Sequence, residues 1–424
     1  MTRVAMFPPR DFGPPAKQPP QPMAKVKRRN SGFPGRIDIR PCGETASMPE
    51  SFESLEAAMR YAATLAAGGE GLVEPNPAVG AVVVDDQLRL LGEGWHRRFG
   101  ASHAEVDALA SAGEAAAGAT LVVTLEPCCH QGQTPACTDM VIGSGVNRVV
   151  VGIEDPSPHA AGAGIAILRQ AGLTVEVGRA ADEVRRLNAA FLQLVTTGRP
   201  WVHAKWAMTL DGRIAAAGGH SQWISNDESR QLVHRLRGRV DAILVGIGTA
   251  LADDPLLTAR PEGPRVATRV VLDSHARLPS ESRLVQSAER VPLMVVCSDA
   301  AEAVRVEALR EAGVEVLQCV GDASGRIDLA GLLQECGTRR WTHILAEGGS
   351  EVLGSLADGD WIDEVHVFLA PKLVGGRRAI AAVGGDGLSQ IPETAAFECR
   401  ECRSVGDDVY WRGVRRGAVE SRDC

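Results

Sequence analysis

Two successive runs of alternating strand and helix patterns constrain the fold of this chain most. The first run begins near Ser51 with a helical pattern and continues through apolar strand patterns such as ATLVVTLEP. The second follows Gly198-Arg199-Pro200 and contains strand patterns such as DAILVGIG and PLMVVCS. Because strands that alternate with helices usually form a sheet covered by helices, the pattern predicts an α/β protein with two domains, 51–198 and 199–424.

Length and composition agree with two globular domains. A chain of 424 residues is too long for one ordinary core, and 45% hydrophobic with 23% charged residues is typical of globular proteins. Aromatic residues are only 4%, so aliphatic side chains must build the cores. No apolar run approaches the roughly 18–20 residues that span a bilayer, and the net charge of -8 disfavours an extensive nucleic-acid surface. We therefore expect a small-molecule partner, with neither nucleic acid nor membrane.

The first 50 residues differ from the rest of the chain. Residues 1–50 are rich in Pro, Lys and Arg and poor in aliphatic residues, which predicts a disordered tail. The tail lacks the continuous apolar segment of a secretory signal, so a plain tail, or a true start at Met48, is favoured over a targeting or nucleic-acid-binding segment. The 10 Cys form no dense, regular framework, which favours a reducing cytoplasmic location over a disulfide scaffold.

Four residues in the first half form a candidate zinc site. His103 and Glu105 are separated by one residue, and Cys128 follows a proline at the end of a predicted strand, with Cys137 further on. One imidazole and two thiolates give Zn²⁺ three ligands and leave a fourth position for water, as in catalytic sites. We expect His103 and Cys128 to lie where a helix begins, and Glu105 to act on the water as a proton carrier. This H-x-E and P-C arrangement is typical of zinc-dependent deaminases.

Several neighbours of this site are open to more than one interpretation. Eight residues separate Cys128 from Cys137, so Cys129 and His130 could compete as ligands, although adjacent cysteines rarely bind one metal together. The cysteines could also be ordinary buried thiols. Asn76 lies between two prolines before an apolar strand, where its amide could pair with the amide-like edge of a pyrimidine or simply form a turn.

The motifs of both halves resemble one family. NPAVGAVVV, SHAEVDAL, TLEPCCHQGQTPAC and IEDPSP, followed by KWAMTLDGRIA, SQWIS, ALADDPLLTAR, AEGGSEVLGSL and FLAPKLVGG, are similar to the RibD family of bifunctional riboflavin biosynthesis enzymes. The resemblance covers about residues 53 to 415. The family usually has Ser where this chain has Cys129, and Pro where it has Ala136; neither change removes a zinc ligand.

The resemblance implies a fold and an activity for each half. The first domain would have a cytidine-deaminase-like α/β/α fold with one zinc ion, and would deaminate 2,5-diamino-6-(5-phosphoribosylamino)pyrimidin-4(3H)-one. The second would have a dihydrofolate-reductase-like α/β fold, and would use NADPH to reduce the ribosyl group of the product to a ribityl chain. Family members often associate through the reductase domain, which suggests a homodimer or homotetramer.

The second half offers phosphate- and dinucleotide-binding features that are weak when taken singly. Glu347-Gly348-Gly349-Ser350 follows a predicted strand and opens a predicted helix, where backbone N–H groups can bind a pyrophosphate. The GIG at 246–248 is not a Rossmann fingerprint, because no helix-opening third glycine follows. Arg237 and Arg260 could bind a phosphate through bidentate guanidinium contacts.

The resemblance also implies binding residues in the second half. The positions that match the family's substrate-binding pattern, with Lys205 as a further expected sugar contact, are Lys205, Ser221, Arg237, Leu257, Arg260 and Glu347. The positions that match its NADPH-binding pattern are Ala207, Trp223, Thr249, Asp253, Ser274, Gly349, Ser350, Glu351, Val352, Leu353, Gly354 and Ser355. We expect Trp223 to stack on the nicotinamide end, with a place in the core as the alternative, and no general acid for the hydride step stands out.

Three other functions fit parts of the sequence. A deaminase acting on nucleic acid would have no use for the second half. A zinc-stabilised binding protein without chemistry would not need Glu105, and would recruit a fourth protein ligand. A chain that keeps only one activity would lack some of the motifs, yet all those compared are present.

Overall fold

The first sheet is assembled from aliphatic strands in the first half of the chain. The computed structural model describes residues 48–130, 136–158, 160–321 and 325–418, so the predicted tail lies almost wholly outside the described residues. The strands of the first sheet are β1 (Gly80–Val84), β2 (Leu90–Trp95), β3 (Thr120–Leu125), β4 (Arg148–Ile153) and β5 (Thr174–Val177). Their order is β2-β1-β3-β4-β5, antiparallel from β2 to β3 and parallel from β3 to β5.

Helices cover both faces of this sheet. They are α1 (Leu55–Ala66), α2 (Ala104–Ala112), α3 (Cys137–Gly143), α4 (Ala163–Gln170), α5 (Ala181–Leu187) and α6 (Ala189–Thr197). Val83, Val123 and Val151 pack against α2, α3 and α4, whereas Val82 and Val122 face α1, α5 and α6. Because successive strand residues point to opposite faces, these valine-rich strands contribute to two cores and form the central layer of three.

The sequence predicts one helix over residues 180–198, and this prediction is wrong. The helix breaks at Asn188, which separates α5 from α6. The Asn188 side chain accepts a hydrogen bond from the backbone N–H of Ala78 at 2.8 Å and donates to the Ala78 carbonyl at 3.0 Å. This pairing holds the chain just after the Pro75-Asn76-Pro77 turn, so the break serves a contact with a distant part of the sequence.

A larger sheet occupies the second half. The strands of this half are β6 (Trp201–Thr209), β7 (Arg213–Ala215), β8 (Ala242–Gly246), β9 (Thr268–Leu272), β10 (Leu293–Ser298), β11 (Glu315–Cys319), β12 (His343–Ala346), β13 (Glu364–Ala370), β14 (Ile380–Ala381), β15 (Phe397–Val405) and β16 (Asp408–Arg415). The sheet order is β11-β10-β9-β8-β12-β6-β13-β16-β15, while β7 and β14 pair separately. The strands from β11 to β13 are parallel, and the hairpin β15–β16 adds antiparallel to β13.

Helices again cover both faces of the second sheet. They are α7 (Asp227–Arg237), α8 (Ile247–Asp253), α9 (Arg283–Gln286), α10 (Ala303–Glu311), α11 (Leu329–Thr338) and α12 (Ser350–Asp358). Apolar residues of α9 and α10 pack on one face of the parallel strands, and those of α11 and α12 pack on the other. None of the described helices is both long enough and apolar enough to cross a membrane.

The connection between the two sheets is short and anchored by polar contacts. Gly198 caps the end of α6 with φ 73, and β6 begins at Trp201. The Arg199 guanidinium donates to both Asp363 carboxylate oxygens at 2.8 Å. Gln193 on α6 donates to Asp363 at 2.9 Å, so one buried carboxylate ties the last helix of the first half to the second sheet.

Candidate active sites

The predicted zinc ligands lie together in the structure. The His103 Nδ1 atom is 3.1 Å from the Cys137 Sγ atom and 3.5 Å from the Cys128 Sγ atom. The three donor atoms lie within 4.8 Å of one another. Two sulfurs and one imidazole nitrogen are a donor set that suits zinc, so the residues fit the metal that the sequence predicts.

The elements that carry the ligands differ in one respect from the prediction. His103 is the N-cap residue of α2, as expected for a helix start. Cys128, however, lies in the loop after β3, and Cys137 is the residue that begins a helix, α3. The expected helix start at Cys128 is therefore wrong, and the Cys137 backbone N–H donates to the Cys128 sulfur at 3.4 Å. The hydrogen bond from the Cys137 thiol, followed by those from His103 and from the Cys137 backbone N–H, lowers the pKa of Cys128 to about 4.

Glu105 lies in the first turn of α2, two residues after His103. Its side chain is buried, with a residue exposure of 3%. Burial raises the pKa of Glu105 to about 7, because the charged form loses its hydration. A carboxyl group that titrates near neutral pH can both accept and return a proton.

Cys129 and His130 lie outside the three-atom cluster. The Cys129 Sγ atom contacts the His130 Nδ1 atom at 3.5 Å, and His130 is exposed. Residues 131–135 of the same loop lie outside the described residues. The two competing ligands are therefore neighbours of the site, while His103, Cys128 and Cys137 face one another.

Two residues that the sequence does not reveal hold the loops of this site. Glu126, which precedes Pro127-Cys128, is buried and accepts four backbone N–H bonds, from Asp155, Gly162, Gly164 and Ile165, at 2.8–3.2 Å. Asn188 holds the chain after the turn that contains Asn76. Asn76 itself is half-buried. Its backbone N–H donates to the Val73 carbonyl at 3.0 Å, but its side-chain amide has no hydrogen bond to another described residue.

A buried ion-pair network forms the centre of the second site. Arg237 donates through Nε and Nη2 to the two carboxylate oxygens of Glu347, at 2.5 and 2.9 Å. The Lys205 Nζ atom is 3.7 Å from Glu347 Oε2. Burial alone would raise the pKa of Glu347, but the charges of Arg237 and then Lys205 lower this pKa to about 2. The sequence predicts Lys205, Arg237 and Glu347 as separate substrate contacts, and the structure places them in direct contact.

The second predicted phosphate-binding arginine lies nearby. Arg260 is exposed, and its Nη2 atom is 3.5 Å from the His234 Nε2 atom on α7. His234 and Arg237 both contact the Thr258 carbonyl, at 3.1 and 3.3 Å. The sequence does not reveal His234, because a histidine on a polar helix gives no sign of a partner in a later loop. Leu257 is buried beside this loop.

Ser221, Trp223 and Asp253 form a neighbouring group. The Ser221 hydroxyl is 3.2 Å from Asp253 Oδ1. Trp223 is 64% exposed, and the Arg230 guanidinium lies 4.6 Å from its ring centre. The alternative position in the core is therefore excluded for Trp223.

The predicted dinucleotide-binding run lies at the start of α12. Gly349 is the N-cap residue, and a Cβ atom there would lie 3.1 Å from the Thr249 hydroxyl. Ser350, Glu351 and Val352 form the first turn, whereas Leu353 and Gly354 are buried, and Ser355 follows them. A Cβ atom on Gly354 would lie 2.2 Å from the Gly384 backbone, so this glycine is required for close packing.

The remaining two predicted cofactor positions are Ser274, which follows β9, and Ala207, which lies within β6. The Ser274 carbonyl accepts from the backbone and the hydroxyl of Ser298, at 3.1 and 2.9 Å. Ala207 is a half-buried residue of β6 that packs near Phe368.

Comparison with known proteins identifies both halves. Residues 52–153 match the cytidine and deoxycytidylate deaminase zinc-binding region, and residues 200–411 match the RibD C-terminal domain. The riboflavin biosynthesis protein RibD of Actinobacillus pleuropneumoniae is 39% identical over 83% of this chain and 93% of the relative. The RibD protein of Escherichia coli K12 is 38% identical over 83% of this chain and 96% of the relative.

Solved structures agree with the sequence relatives. A RibD structure from Acinetobacter baumannii is similar with a TM-score of 0.75 and 34% identity, covering 85% of this chain and 98% of the other. The structure of a diaminohydroxyphosphoribosylaminopyrimidine deaminase/5-amino-6-(5-phosphoribosylamino)uracil reductase from Thermotoga maritima is similar with a TM-score of 0.72 and 36% identity. It also covers 85% of this chain and 98% of the other. The chain, with its cytidine-deaminase-like domain and its reductase domain, belongs to the RibD family of bifunctional deaminase/reductases of riboflavin biosynthesis.

Proposed function

We propose that this chain catalyses two consecutive reactions on one pyrimidine nucleotide. The deaminase domain hydrolyses 2,5-diamino-6-(5-phosphoribosylamino)pyrimidin-4(3H)-one to 5-amino-6-(5-phosphoribosylamino)uracil and ammonia. The reductase domain then reduces the ribosyl group of that product to a ribityl chain with NADPH. The Thermotoga maritima relative, a diaminohydroxyphosphoribosylaminopyrimidine deaminase/5-amino-6-(5-phosphoribosylamino)uracil reductase that aligns over 98% of its own length, supports this assignment.

In the deaminase domain, His103, Cys128 and Cys137 would hold one zinc ion. Zinc, when bound, supplies a Lewis acid that lowers the pKa of water towards about 7. Glu105 would take a proton from the attacking water and return it to the departing amino group. The Asn76 amide would pair with the pyrimidine edge and orient the ring.

In the reductase domain, the substrate phosphate and sugar would bind near the Glu347 network. NADPH, when bound, supplies the hydride. Arg237 is occupied by Glu347, so exposed Arg260 would be the principal phosphate contact, with Lys205 towards the sugar and Ser221 and Leu257 lining the site. The N-terminus of α12, Thr249, Asp253, Ser274 and Ala207 would bind the dinucleotide, and Trp223 would stack on its nicotinamide end.

We propose further that the deaminase domain spans 51–198 and the reductase domain 199–424, because α6 ends at Gly198. A cytoplasmic enzyme that associates as a homodimer or homotetramer through the reductase domain fits the family. Size-exclusion chromatography with light scattering tests the association.

The observation that supports this proposal best is that the three predicted zinc-ligand atoms lie together, near the buried Glu105, in a chain whose second half is a RibD reductase domain. A coupled assay tests it. Purified protein receives the diaminopyrimidinone nucleotide with and without NADPH, while ammonia and nicotinamide absorbance are followed. We expect ammonia in both cases, and NADPH oxidation only after deamination. Release of ammonia without any later NADPH oxidation would contradict the second activity.

A further inference from the structure

A second group of potential metal ligands lies in the reductase sheet, next to Lys205 but without sharing a residue with either site described above. His203 on β6 is the register partner of Glu364 on β13, and His366 follows two residues later on the same strand. The alternation of strand side chains therefore places all three on one face of the sheet. We propose that His203, Glu364 and His366 form a second binding site for a divalent transition metal, of which Zn²⁺ suits the ligands best. This inference is independent of the proposed function.

The spacing of the donor atoms fits a tetrahedral ion. The His203 Nδ1 and His366 Nε2 atoms are 3.2 Å apart. Glu364 Oε1 lies 3.3 Å from His366 Nε2, and Glu364 Oε2 lies 3.6 Å from His203 Nδ1. Zinc bonds of about 2.0–2.1 Å place tetrahedral ligand atoms about 3.3–3.4 Å apart, so an ion could enter with only small side-chain shifts.

Outer partners orient both imidazoles towards the common centre. The Tyr410 hydroxyl is 2.7 Å from the His366 Nδ1 atom, and the His343 Nδ1 atom is 3.0 Å from the His203 Nε2 atom. Each ring thus has a hydrogen-bond partner on the nitrogen that faces away from Glu364. Ligand histidines in metal sites commonly have such partners, which fix the ring and its tautomer.

The carboxylate is held in the same manner. The Trp201 indole N–H donates to Glu364 Oε2 at 3.2 Å, and the Arg412 guanidinium contacts Oε1. Each carboxylate oxygen has two lone-pair positions, so these bonds leave positions free for a metal.

Burial and protonation are compatible with metal binding. Glu364 and His366 are buried and His203 is half-buried. Burial lowers the pKa of His203 well below its ordinary value. Arg412 holds the pKa of Glu364 well below its usual range despite burial. Imidazole and carboxylate ligands without a thiolate favour zinc, cobalt or nickel over calcium and magnesium, with weaker binding than at the Cys-containing site.

Cobalt(II) distinguishes the two sites, because only a thiolate ligand gives a near-ultraviolet charge-transfer band. We expect metal-free full-length protein to bind about two equivalents of cobalt(II) in equilibrium dialysis. The intensity of the charge-transfer band should correspond to only one of them. The Cys128→Ser/Cys137→Ser variant should bind about one equivalent without that band. His366→Gln should bind about one equivalent with it, while His275→Gln, which alters an exposed histidine away from the cluster, should still bind two.

The double cysteine variant decides the outcome even if His366→Gln fails to fold, because it leaves the second cluster unchanged. Binding of a single equivalent by the wild type, or of none by the double variant, would overturn the proposal. Retention of the equivalent after His203→Gln is added to the double variant, with the fold checked by circular dichroism, would also overturn it.

Discussion

Glu105 in the first site and Glu347 in the second both have buried side chains, but their pKa values are shifted in opposite directions. Burial without a cationic partner in hydrogen-bond contact raises the pKa of Glu105 to about 7. Glu347 is equally enclosed, yet Arg237 and Lys205 lower its pKa to about 2. The neighbours therefore decide the role: Glu105 can exchange protons near neutral pH, whereas Glu347 remains an anion that fixes two cations in place.

Replacement of Glu105 should separate the two activities most strongly. Glu105→Gln keeps the size of the side chain but cannot carry a proton, so we expect ammonia release to fall by about 10²–10⁴-fold. Reduction of pre-deaminated substrate should stay at the wild-type rate. Both rates are measured on the same preparation by ammonia and NADPH assays.

Glu114→Gln is the matched control, since Glu114 is exposed just after the end of α2. It should leave both rates unchanged. A proportional loss of both activities in well-folded Glu105→Gln would argue against two independent sites.

Replacement of Glu347 should instead affect stability as well as reduction. Glu347→Gln leaves Arg237 and Lys205 without their buried counter-charge, which typically costs about 3–5 kcal/mol. We expect a lower free energy of unfolding in urea and loss of NADPH oxidation, with little change in ammonia release. Glu311→Gln, at an exposed position of α10, serves as control and should unfold like the wild type.

The contribution of Glu347 to the free energy of unfolding should depend on pH in a defined direction. The folded-state pKa of Glu347 lies below its ordinary value of 4.5, at about 2, so its stabilisation is complete above pH 4.5 and is lost as the pH falls towards 2. The difference in unfolding free energy between wild type and Glu347→Gln should shrink across this window. A difference that stayed constant between pH 6 and pH 3 would show that the ion pair is not its cause.

The sequence predicts the parts of each site that lie at the ends of apolar strands. His103, Glu105, Cys128 and Cys137 are recognisable because their spacing is tied to local elements, and the structure places the three ligands together. The break at Asn188 could not be predicted, because its cause is a pair of hydrogen bonds to Ala78, far away in the chain.

The C-terminal hairpin β15–β16 is not predictable from the sequence for a different reason. β15 is polar and largely exposed along an edge of the sheet, so it lacks the apolar run that marks the buried strands. The three residues proposed as a second metal site come from two strands, and their relation appears only once β6 and β13 are paired. Pairing of this kind depends on tertiary structure and is not encoded in local spacing.

Replacement of Glu126 tests whether loop position matters to the deaminase site. Glu126→Gln exchanges one acceptor oxygen for an NH₂ group facing backbone donors, which should cost about 1–3 kcal/mol. We expect slower ammonia release and unchanged reduction, because Asp155 and the first turn of α4 lose part of their anchor. Exposed Glu154→Gln is the control, and equal behaviour of the two variants would assign Glu126 no positioning role.

The smallest effect is expected from the replacement of Trp223 in the reductase domain. Because its ring is 64% exposed, Trp223→Ala should change the unfolding free energy by no more than about 0.5 kcal/mol. If the ring stacks on NADPH, its loss removes about 0.5–1.5 kcal/mol of binding, which corresponds to a roughly two- to tenfold higher KM for NADPH. Trp223→Phe should recover most of that affinity. An unchanged KM in both variants would move the nicotinamide contact away from Trp223 and leave the Glu347 network as the feature that defines this site.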